Sequence, residues 1–300
     1  MYYYSYSIGN GKASRRFQYP GEEPVVTEVP YVGEEQVISD EASFEKSWLR
    51  AKQTPKLVSP RGEVAVVDLF CGCGGLTLGV EEACNSIGYK CRIRYASDID
   101  ENAMSVFKNN FHPDIVDQNP IENTIDSPLG ESLSEKEKAF KEKIGIIDLL
   151  VAGPPCQGNS DLNNHTRRTD SRNLLYLRAV RCAEILKLES IIIENVPGVL
   201  HDVHGVLQTA DEKLKEMGYH VDYSVVDMSK IGVPQSRKRM FLLASRCYQP
   251  CIPDVFQYPR EIRNISWAID DLLGKVDVED VYNSPANSSI TNKKRMPVCS

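Results

Sequence analysis

The stretch VAVVDLFCGCGGLTLG, residues 64–79, decides the fold. A short, continuous apolar run ends in a cluster of glycines, and a helical pattern begins directly after them. Glycines between a strand and a helix let a ligand approach the backbone closely. The fingerprint of a pyrophosphate-binding loop would need glycine at position 77, where this chain has Thr77. The loop therefore fits a nucleoside ligand better than a pyrophosphate.

Apolar strands and amphipathic helices continue to alternate on the C-terminal side of this stretch. The patterns predict strands at 64–70, 91–98, 146–152, 190–196, 219–228 and 239–245. They predict helices at 76–87, 101–111, 131–145, 173–188 and 206–218, of which the highly charged 131–145 should be exposed. Such an alternation indicates an α/β fold with a doubly wound, mostly parallel sheet of the Rossmann-like type.

The regular pattern covers only the middle of the chain. We expect residues 1–60 to be a partly ordered N-terminal extension with one helix near 40–52, because no sustained period is visible there. Residues 61–250 should form the domain that contains the sheet. Residues 251–300 read as a linker with one more helix near 266–274.

Composition limits the function classes. The 300 residues are 41% hydrophobic and carry a net charge of −7, so we expect a local basic groove at most. No apolar run reaches the roughly 18 residues of a membrane span, and the N-terminus lacks a secretory signal. We therefore expect a cytoplasmic protein, associated with the nucleoid if its source is prokaryotic. The nine cysteines form no zinc-type pairs, so we expect no metal.

The segment GPPCQGNS, residues 153–160, places a thiol directly after a predicted buried strand. In an open parallel sheet, ligands bind at the carboxyl ends of the strands, so Cys156 should project into that crevice. Pro154 and Pro155 stiffen the backbone before it, as the position of a nucleophile requires. Asp98 ends the second strand, where a carboxylate can accept hydrogen bonds from ribose hydroxyls. An adenosine-containing cofactor is therefore expected.

Polar residues at two further strand ends complete the predicted site. Glu194 and Asn195 end the apolar strand SIIIENV, and an acid there is costly unless it is paired or functional. Gln235, Arg237 and Arg239 alternate, so on an extended segment they point to the same side, toward a base edge, a phosphate or Glu194. A thiolate, an acid and a methyl donor together suit methylation of a pyrimidine ring at carbon 5.

With these residues the sequence closely resembles the cytosine-5 DNA methyltransferase family, whose members use S-adenosylmethionine. The resemblance covers about residues 64–245. The motifs that carry it, in order, are DLFCGCGG (68–75), ASDID (96–100), GPPCQGNS (153–160), DSRNLLYL (170–177), ENVPG (194–198) and GVPQSRKR (232–239).

The resemblance implies a role for each matched residue. Cys156 would be the nucleophile, Glu194 would stabilise the protonated cytosine, and Arg237 and Arg239 would hold the base and order the loop. The contacts to S-adenosylmethionine would come from Phe70, Gly72, Cys73, Gly74, Asp98, Ile99, Pro155 and Leu175. Contacts to the DNA substrate would come from Gln157, Ser160, Asn195 and Gln235. Residues 61–250 would be the catalytic S-adenosylmethionine-binding methyltransferase domain, and no metal is implied.

The sequence departs from the family pattern at three points. Asn159 stands where the family usually has an aromatic residue. The family's adenine-contacting aspartate has no clear match, with Asp117 and Asn119 both nearby. The family continues with a target-recognition region and a last pair of motifs, and residues 251–300 would hold at most the start of that region.

Several interpretations therefore remain open. The protein could be a monomeric methyltransferase acting on double-stranded DNA in a restriction–modification or epigenetic context. It could be a truncated or incomplete chain, or a half-enzyme or non-catalytic subunit completed by a second polypeptide. An RNA cytosine-5 methyltransferase would use the same chemistry. A nicotinamide dehydrogenase is disfavoured by Thr77 and by Cys156.

Overall fold

The computed structural model of the chain describes residues 3–33, 39–57, 59–155, 175–257 and 261–272. Its strands, in chain order, are β1 (Tyr3–Gly9), β2 (Lys12–Gln18), β3 (Val25–Pro30), β4 (Gly62–Leu69), β5 (Tyr89–Ser97), β6 (Val116–Asp117), β7 (Leu149–Ala152), β8 (Ser190–Asn195), β9 (His220–Asp227) and β10 (Lys238–Ser245). Its α-helices are α1 (Asp40–Leu49), α2 (Gly75–Ile87), α3 (Glu101–Phe111), α4 (Glu135–Ile144), α5 (Leu175–Leu186), α6 (Val206–Glu216) and α7 (Ile265–Ile269).

Seven strands of the described residues form the central sheet, in the order β6-β5-β4-β7-β8-β10-β9. Strands β4 to β8 pair in parallel, while β10 runs antiparallel to both of its neighbours, β8 and β9. The predicted doubly wound, mostly parallel sheet is thus confirmed. The strand order reverses between β4 and β7, and a crevice at the carboxyl ends of the strands is expected at such a reversal.

The hydrophobic core lies between the sheet and its helices. Strand β4 is fully buried over its last four residues, 66–69, which explains why this strand reads as a continuous apolar run. Helix α5 buries Ala179, Val180, Cys182 and Ala183 in the same core. Because these strands run parallel, the carboxyl ends of β4, β5, β7 and β8 lie at one edge of the sheet.

Helix α4 differs from the prediction that it would be exposed. Glu137, Phe140 and Ile144 are buried on one of its faces. The Glu137 carboxylate tolerates burial because Arg181 of α5 donates to both of its oxygens, over 3.1 Å from Nε and 2.6 Å from Nη2. A partner from another helix cannot be read from the charge pattern of α4 alone.

Residues 3–57 contain more structure than the sequence patterns predicted. The expected helix is present as α1, but β1, β2 and β3 form an antiparallel sheet that we did not predict. Strand β2 buries Ala13, Arg15 and Phe17 on one face, and the inward arginine breaks the apolar alternation that signals a strand. The expected helix near 266–274 begins one residue earlier, as the short α7. The domain boundaries stay predictions.

Candidate active site

The glycine loop between β4 and α2 is shaped by backbone conformations that favour glycine. Gly72 has a φ of +53° and Gly74 a φ of +93°, both in the left-handed region. A Cβ atom at Gly74 would overlap the ring of Phe111, whereas one at Gly72 would meet nothing within 4 Å. The loop is therefore packed against α3 on one side and open at Gly72, where a ligand can approach the backbone.

Asp98, at the end of β5, holds this loop in place. Its Oδ2 accepts a hydrogen bond from the backbone N–H of Gly72 at 2.8 Å, and its Oδ1 accepts one from Asp100 at 2.9 Å. Each carboxylate oxygen keeps a lone pair that can accept from a ligand hydroxyl. The next residue, Ile99, leaves 69% of its surface exposed, so an apolar platform lies beside the carboxylate. The structure thus brings Gly72, Asp98 and Ile99 together, as the sequence predicted.

Asp117, one of the two candidates left open by the sequence, lies on the neighbouring strand β6. Its Oδ2 accepts from Tyr95 at 2.7 Å and from Thr124 at 2.9 Å, while its Oδ1 accepts from both the backbone and the side chain of Asn119. Burial raises the pKa of Asp117, but the hydrogen bonds, that of Tyr95 foremost, outweigh it and lower the pKa below its ordinary value. A fixed carboxylate with a lowered pKa therefore lies next to Asp98, whose backbone N–H donates to the Asp117 carbonyl at 3.2 Å.

Asp68, within β4, is a site feature that the sequence analysis did not single out. The residue is fully buried, its Oδ2 accepts from the Thr77 hydroxyl at 2.5 Å, and its Oδ1 has no hydrogen-bond partner among the described residues. Burial raises the pKa of Asp68 to about 7, although the hydrogen bond from Thr77 lowers it. The nearby Asp98 also contributes to the rise. A carboxylate inside the apolar run VAVVDLF is the sequence signal that could have identified it.

Strand β7 leads into the segment that carries the expected nucleophile. Cys156, Gln157 and Ser160 lie outside the described residues, as does Asn159. Pro154 and Pro155 are described, and the Pro154 carbonyl accepts from the side-chain amide of Asn195 at 3.2 Å. Asn195 is 4% exposed, and its Oδ1 accepts from the N–H of Val196 at 2.7 Å. These contacts favour a supporting role for Asn195 over the predicted contact with substrate.

Glu194 and the two arginines meet at the ends of β8 and β10. The Glu194 Oε1 lies 2.7 Å from Nε of Arg239 and 3.6 Å from Nη2 of Arg237. The antiparallel register sets Phe241 opposite Glu194, which puts Arg239 two residues away on the same face. Glu194 and Arg239 are each 22% exposed at the side chain, so the pair is partly desolvated yet accessible. The arrangement can hold a charged or polar planar group beside a fixed carboxylate.

For the other predicted site residues, the structure gives the backbone conformation or the exposure of the side chain. Phe70 has a φ of +57°, unusual for a residue with a side chain, and Cys73 is exposed in the glycine loop. Leu175 begins α5 and packs on the main core. Gln235 is exposed beside the arginines. Their predicted ligand contacts stay predictions.

In the described part of the chain, no helix combines the length and apolar character that crossing a bilayer requires. No three histidine, cysteine, aspartate or glutamate side chains lie close enough there to hold a metal ion.

The chain is similar in sequence to known methyltransferases. Residues 64–297 match the family model of the C-5 cytosine-specific DNA methylases. The chain is 42% identical over 254 residues to the Type II methyltransferase M1.BsuMI of Bacillus subtilis, covering 84% of this chain and 59% of that protein. It is 33% identical over 184 residues to the Type II methyltransferase M.AgeI of Thalassovita gelatinovora, covering 60% of this chain and 39% of that protein. The chain thus spans less than two thirds of these curated relatives.

Two solved methyltransferase structures superpose on the chain. A DNA modification methyltransferase encoded within an E. coli prophage superposes with a TM-score of 0.54 at 29% identity, covering 72% of this chain and 56% of that one. The S. pombe Dnmt2 methyltransferase superposes with a TM-score of 0.53 at 23% identity, covering 72% of this chain and 62% of that one, and supports the fold alone.

Proposed function

Because the chain belongs to the family of C-5 cytosine-specific DNA methylases, we propose that it transfers a methyl group from S-adenosylmethionine to carbon 5 of cytosine in DNA. The observation that carries the proposal is the contact of Glu194 with Arg239 and Arg237, on the same sheet edge as the glycine loop and Asp98. Since the two relatives named above are Type II methyltransferases, we extend the proposal to the modification arm of a restriction–modification system.

The edge formed by β4, β5 and β6 fits the adenosine part of the methyl donor. Backbone at Gly72 is open to a ligand, the Asp98 carboxylate can accept from ribose hydroxyls, and the exposed Ile99 offers an apolar surface to a flat ring. Asp117 adds an ionised acceptor suited to an exocyclic amino group. When bound, S-adenosylmethionine would supply an electrophilic methyl group on a sulfonium centre.

Residues of this chain would make the cytosine ring reactive. The Cys156 thiolate would add to carbon 6, and Glu194 would stabilise the protonated ring nitrogen 3. Carbon 5 would then be nucleophilic. After carbon 5 has taken the methyl group, a base, such as a water molecule, would remove the proton of carbon 5. The electrons of that C–H bond would re-form the 5,6 double bond, the C6–S bond would break to release the Cys156 thiolate, and nitrogen 3 would return its proton to Glu194. Arg239 and Arg237 would fix the Glu194 carboxyl group and hold the base during these steps.

Double-stranded DNA is the expected partner. A cytosine inside a duplex is inaccessible to a thiol, so the base has to leave the stack before the reaction, as it does in enzymes that act on single bases. The exposed basic residues beside the site, such as Lys230 and Lys238, are suited to phosphate contacts that position the duplex.

Transfer of labelled methyl from S-adenosylmethionine tests the proposal. Unmethylated duplex DNA and RNA would be offered to the wild-type chain, to Cys156→Ala and to the control Cys247→Ala, whose cysteine is exposed and distant in sequence. Label in DNA that is lost only with Cys156→Ala is the expected result. Label in RNA alone, or label that survives in Cys156→Ala, would overturn the proposed substrate or the proposed nucleophile.

A further inference from the structure

Residues 3–33 and 39–57, here called the N-terminal module, lie outside the stretch that matches the family model, here called the family domain. The module has its own small core, in which Ala13, Val29 and Phe44 are buried between the β1–β3 sheet and α1. The chemistry proposed above uses none of its residues. The module nevertheless contacts helix α2 of the family domain, which follows directly on the glycine loop.

Polar side chains make up most of the buried face of helix α2. The buried apolar clusters formed by the described residues include no residue of this helix. Its buried residues are Thr77, Cys84, Asn85 and Ser86. On the sheet side, the Thr77 hydroxyl donates to Asp68 of β4 at 2.5 Å. Since helices are ordinarily fixed by an apolar face, the position of α2 depends strongly on the polar groups that hold it.

The module supplies such polar groups along the second half of α2. Arg15 of β2, whose side chain is 9% exposed, forms an ion pair with Glu82. About one turn further on, the Asn85 Oδ1 accepts from the Thr27 hydroxyl at 3.3 Å, and its Nδ2 donates to the Pro55 carbonyl at 2.6 Å. Burial raises the pKa of Glu82, although the charge and the hydrogen bond of Arg15 lower it. Charges withdrawn from water in this way have to be paired, so the docking geometry is specific.

The C-terminal end of α2 also fits against the module. Gly88, the residue that ends the helix, has a φ of +86°, and its carbonyl accepts from the N–H of Arg61 at 2.8 Å. A Cβ atom at Gly88 would lie 2.9 Å from Cγ2 of Val25 in β3, so glycine is what lets the strand come this close. The module thus contacts α2 from Glu82 to its end.

The other end of α2 is the glycine loop itself. Gly74 is the N-terminal cap of the helix, and its carbonyl accepts from the N–H of Leu78 at 2.8 Å. The N–H of Gly74 donates to the Cys71 carbonyl at 2.9 Å. Glu82 lies about two helical turns beyond Gly74. Because a hydrogen-bonded helix moves as a rigid element over this length, a shift at Glu82 is transmitted to the loop.

We propose that the N-terminal module positions the glycine loop for S-adenosylmethionine by fixing α2 through the Arg15–Glu82 pair and Asn85. The proposal rests on the proposed function, in which the loop binds the methyl donor. The three side chains act through the helix and are therefore positioning residues. Glu194 and Arg239 belong to other strands, β8 and β10, so the effect falls on binding of the methyl donor.

Replacement of these contacts in the full chain tests the proposal. Glu82→Leu leaves Arg15 without its anion, and the double variant Arg15→Met with Glu82→Leu removes both charges. Asn85→Ala removes the second contact and keeps the ion pair, so it reports on the proposal even where Glu82→Leu fails to fold. Arg50→Met is the matched control, because it breaks an ion pair that the same module makes with Asp271, outside α2.

Three quantities would be measured: the Kd of S-adenosylmethionine by calorimetry, backbone hydrogen exchange at 72–78, and the free energy of unfolding in urea. Glu82→Leu and Asn85→Ala should each raise the Kd about fivefold or more and speed exchange at 72–78. The double variant should recover most of the affinity, since no buried charge is then left unpaired. Arg50→Met should leave the Kd and the exchange within about twofold, even where it lowers the free energy of unfolding.

Four outcomes would overturn the proposal. The first is an unchanged Kd in Asn85→Ala and Glu82→Leu. The second is an equal rise in Arg50→Met, which would assign the effect to a general loss of stability. The third is a double variant that binds as weakly as Glu82→Leu. The fourth is a raised Kd with unchanged exchange at 72–78, since the affinity would then be lost by a route other than the glycine loop.

Failure of the proposed function gives a different result. A wild-type chain that binds no S-adenosylmethionine would count against the proposed function and against the cofactor as the ligand of the loop. Exchange at 72–78 in the same variants would then decide by itself whether the module positions the loop.

Discussion

Arg239 reaches Glu194 across two antiparallel strands, and its Nε lies 2.7 Å from the Glu194 Oε1. Arg237 approaches the same oxygen at 3.6 Å. The shortest approaches of both arginines are therefore to Oε1, while the Glu194 side chain is 22% exposed. A carboxyl group that is held by two cations and still accessible suits contact with a bound base.

Glu194→Gln should lower kcat by about 100-fold or more, because an amide keeps the shape of the side chain but cannot exchange a proton with the ring. The Kd of S-adenosylmethionine should not change, since Asp98 and the glycine loop are intact. Single-turnover methyl transfer, with the cofactor Kd from calorimetry, measures both. A Glu194→Gln enzyme with normal turnover would remove the acid from the mechanism.

The two arginines should not be equivalent. Arg239→Gln should lower kcat more than Arg237→Gln, because the Arg239 contact is shorter and its side chain is 22% exposed, against 41% for Arg237. We expect a difference of about tenfold, which corresponds to roughly 1.4 kcal/mol. Steady-state kinetics of the two variants side by side makes the comparison. Equal losses would mean that the closer contact has no special role.

The sequence indicates which polar residues lie at these strand ends, but not which contacts hold them in place. The alternation of Arg237 and Arg239, and the position of Glu194 at a strand end, follow from the period of two along a strand. That β10 inserts next to β8 with Phe241 opposite Glu194 could not be read from the sequence, because strand order depends on contacts between distant segments. The bond from the Asn195 amide to the Pro154 carbonyl likewise joins distant segments and could not be read from the sequence, and the predicted contact of Asn195 with substrate stays a prediction.

Buried charges were the other source of error. Arg15 in β2 and Glu137 in α4 sit at positions that a hydrophobicity pattern assigns to solvent, and each is buried because a partner from a different element, Glu82 or Arg181, neutralises it. Both partners lie far away in the sequence. Strand β2 was missed, and α4 was expected to be exposed, for this one physical reason.

Asp98→Ala should weaken S-adenosylmethionine binding by about tenfold or more, since it removes a charged acceptor of hydrogen bonds. It also frees the N–H of Gly72, so the glycine loop loses its fixed shape. Calorimetric titration measures the Kd. Asp100→Asn is the matched control, because Asp100 caps α3 without contacting the loop. Equal cofactor affinity in Asp98→Ala and the wild type would exclude the ribose assignment.

Arg181→Met should destabilise the fold by about 3–5 kcal/mol, because it leaves the fully buried Glu137 carboxylate without its cation. Replacing both residues, as Arg181→Met with Glu137→Leu, should recover part of that loss, because no buried charge then remains unpaired while the N–H groups of Ser127 and Ser134 lose their acceptor. Urea unfolding of the wild type and the two variants gives the free energies. A double variant less stable than the single one would contradict this account.

Asp68→Asn should change how stability depends on pH. The folded-state pKa of Asp68 is raised to about 7, above the unfolded value, so the carboxyl group favours the folded state most below pH 4. That contribution is lost as pH rises from about 4 to about 7, a loss of up to about 4 kcal/mol. The free energy of unfolding of the wild type should therefore fall relative to that of Asp68→Asn across this window.

Urea unfolding at pH 5, 6, 7 and 8 measures this difference, and Thr77→Val is the informative second variant. The Thr77 hydroxyl bonds to the Asp68 Oδ2 and opposes the rise in its pKa, so without that bond the pKa should rise further. The window of pH-dependent stability should then extend above pH 7. Parallel stability curves for the wild type and Asp68→Asn would mean that Asp68 does not titrate in this range. The buried carboxyl group beneath the glycine loop would then stay in one protonation state throughout the pH range in which the enzyme is assayed.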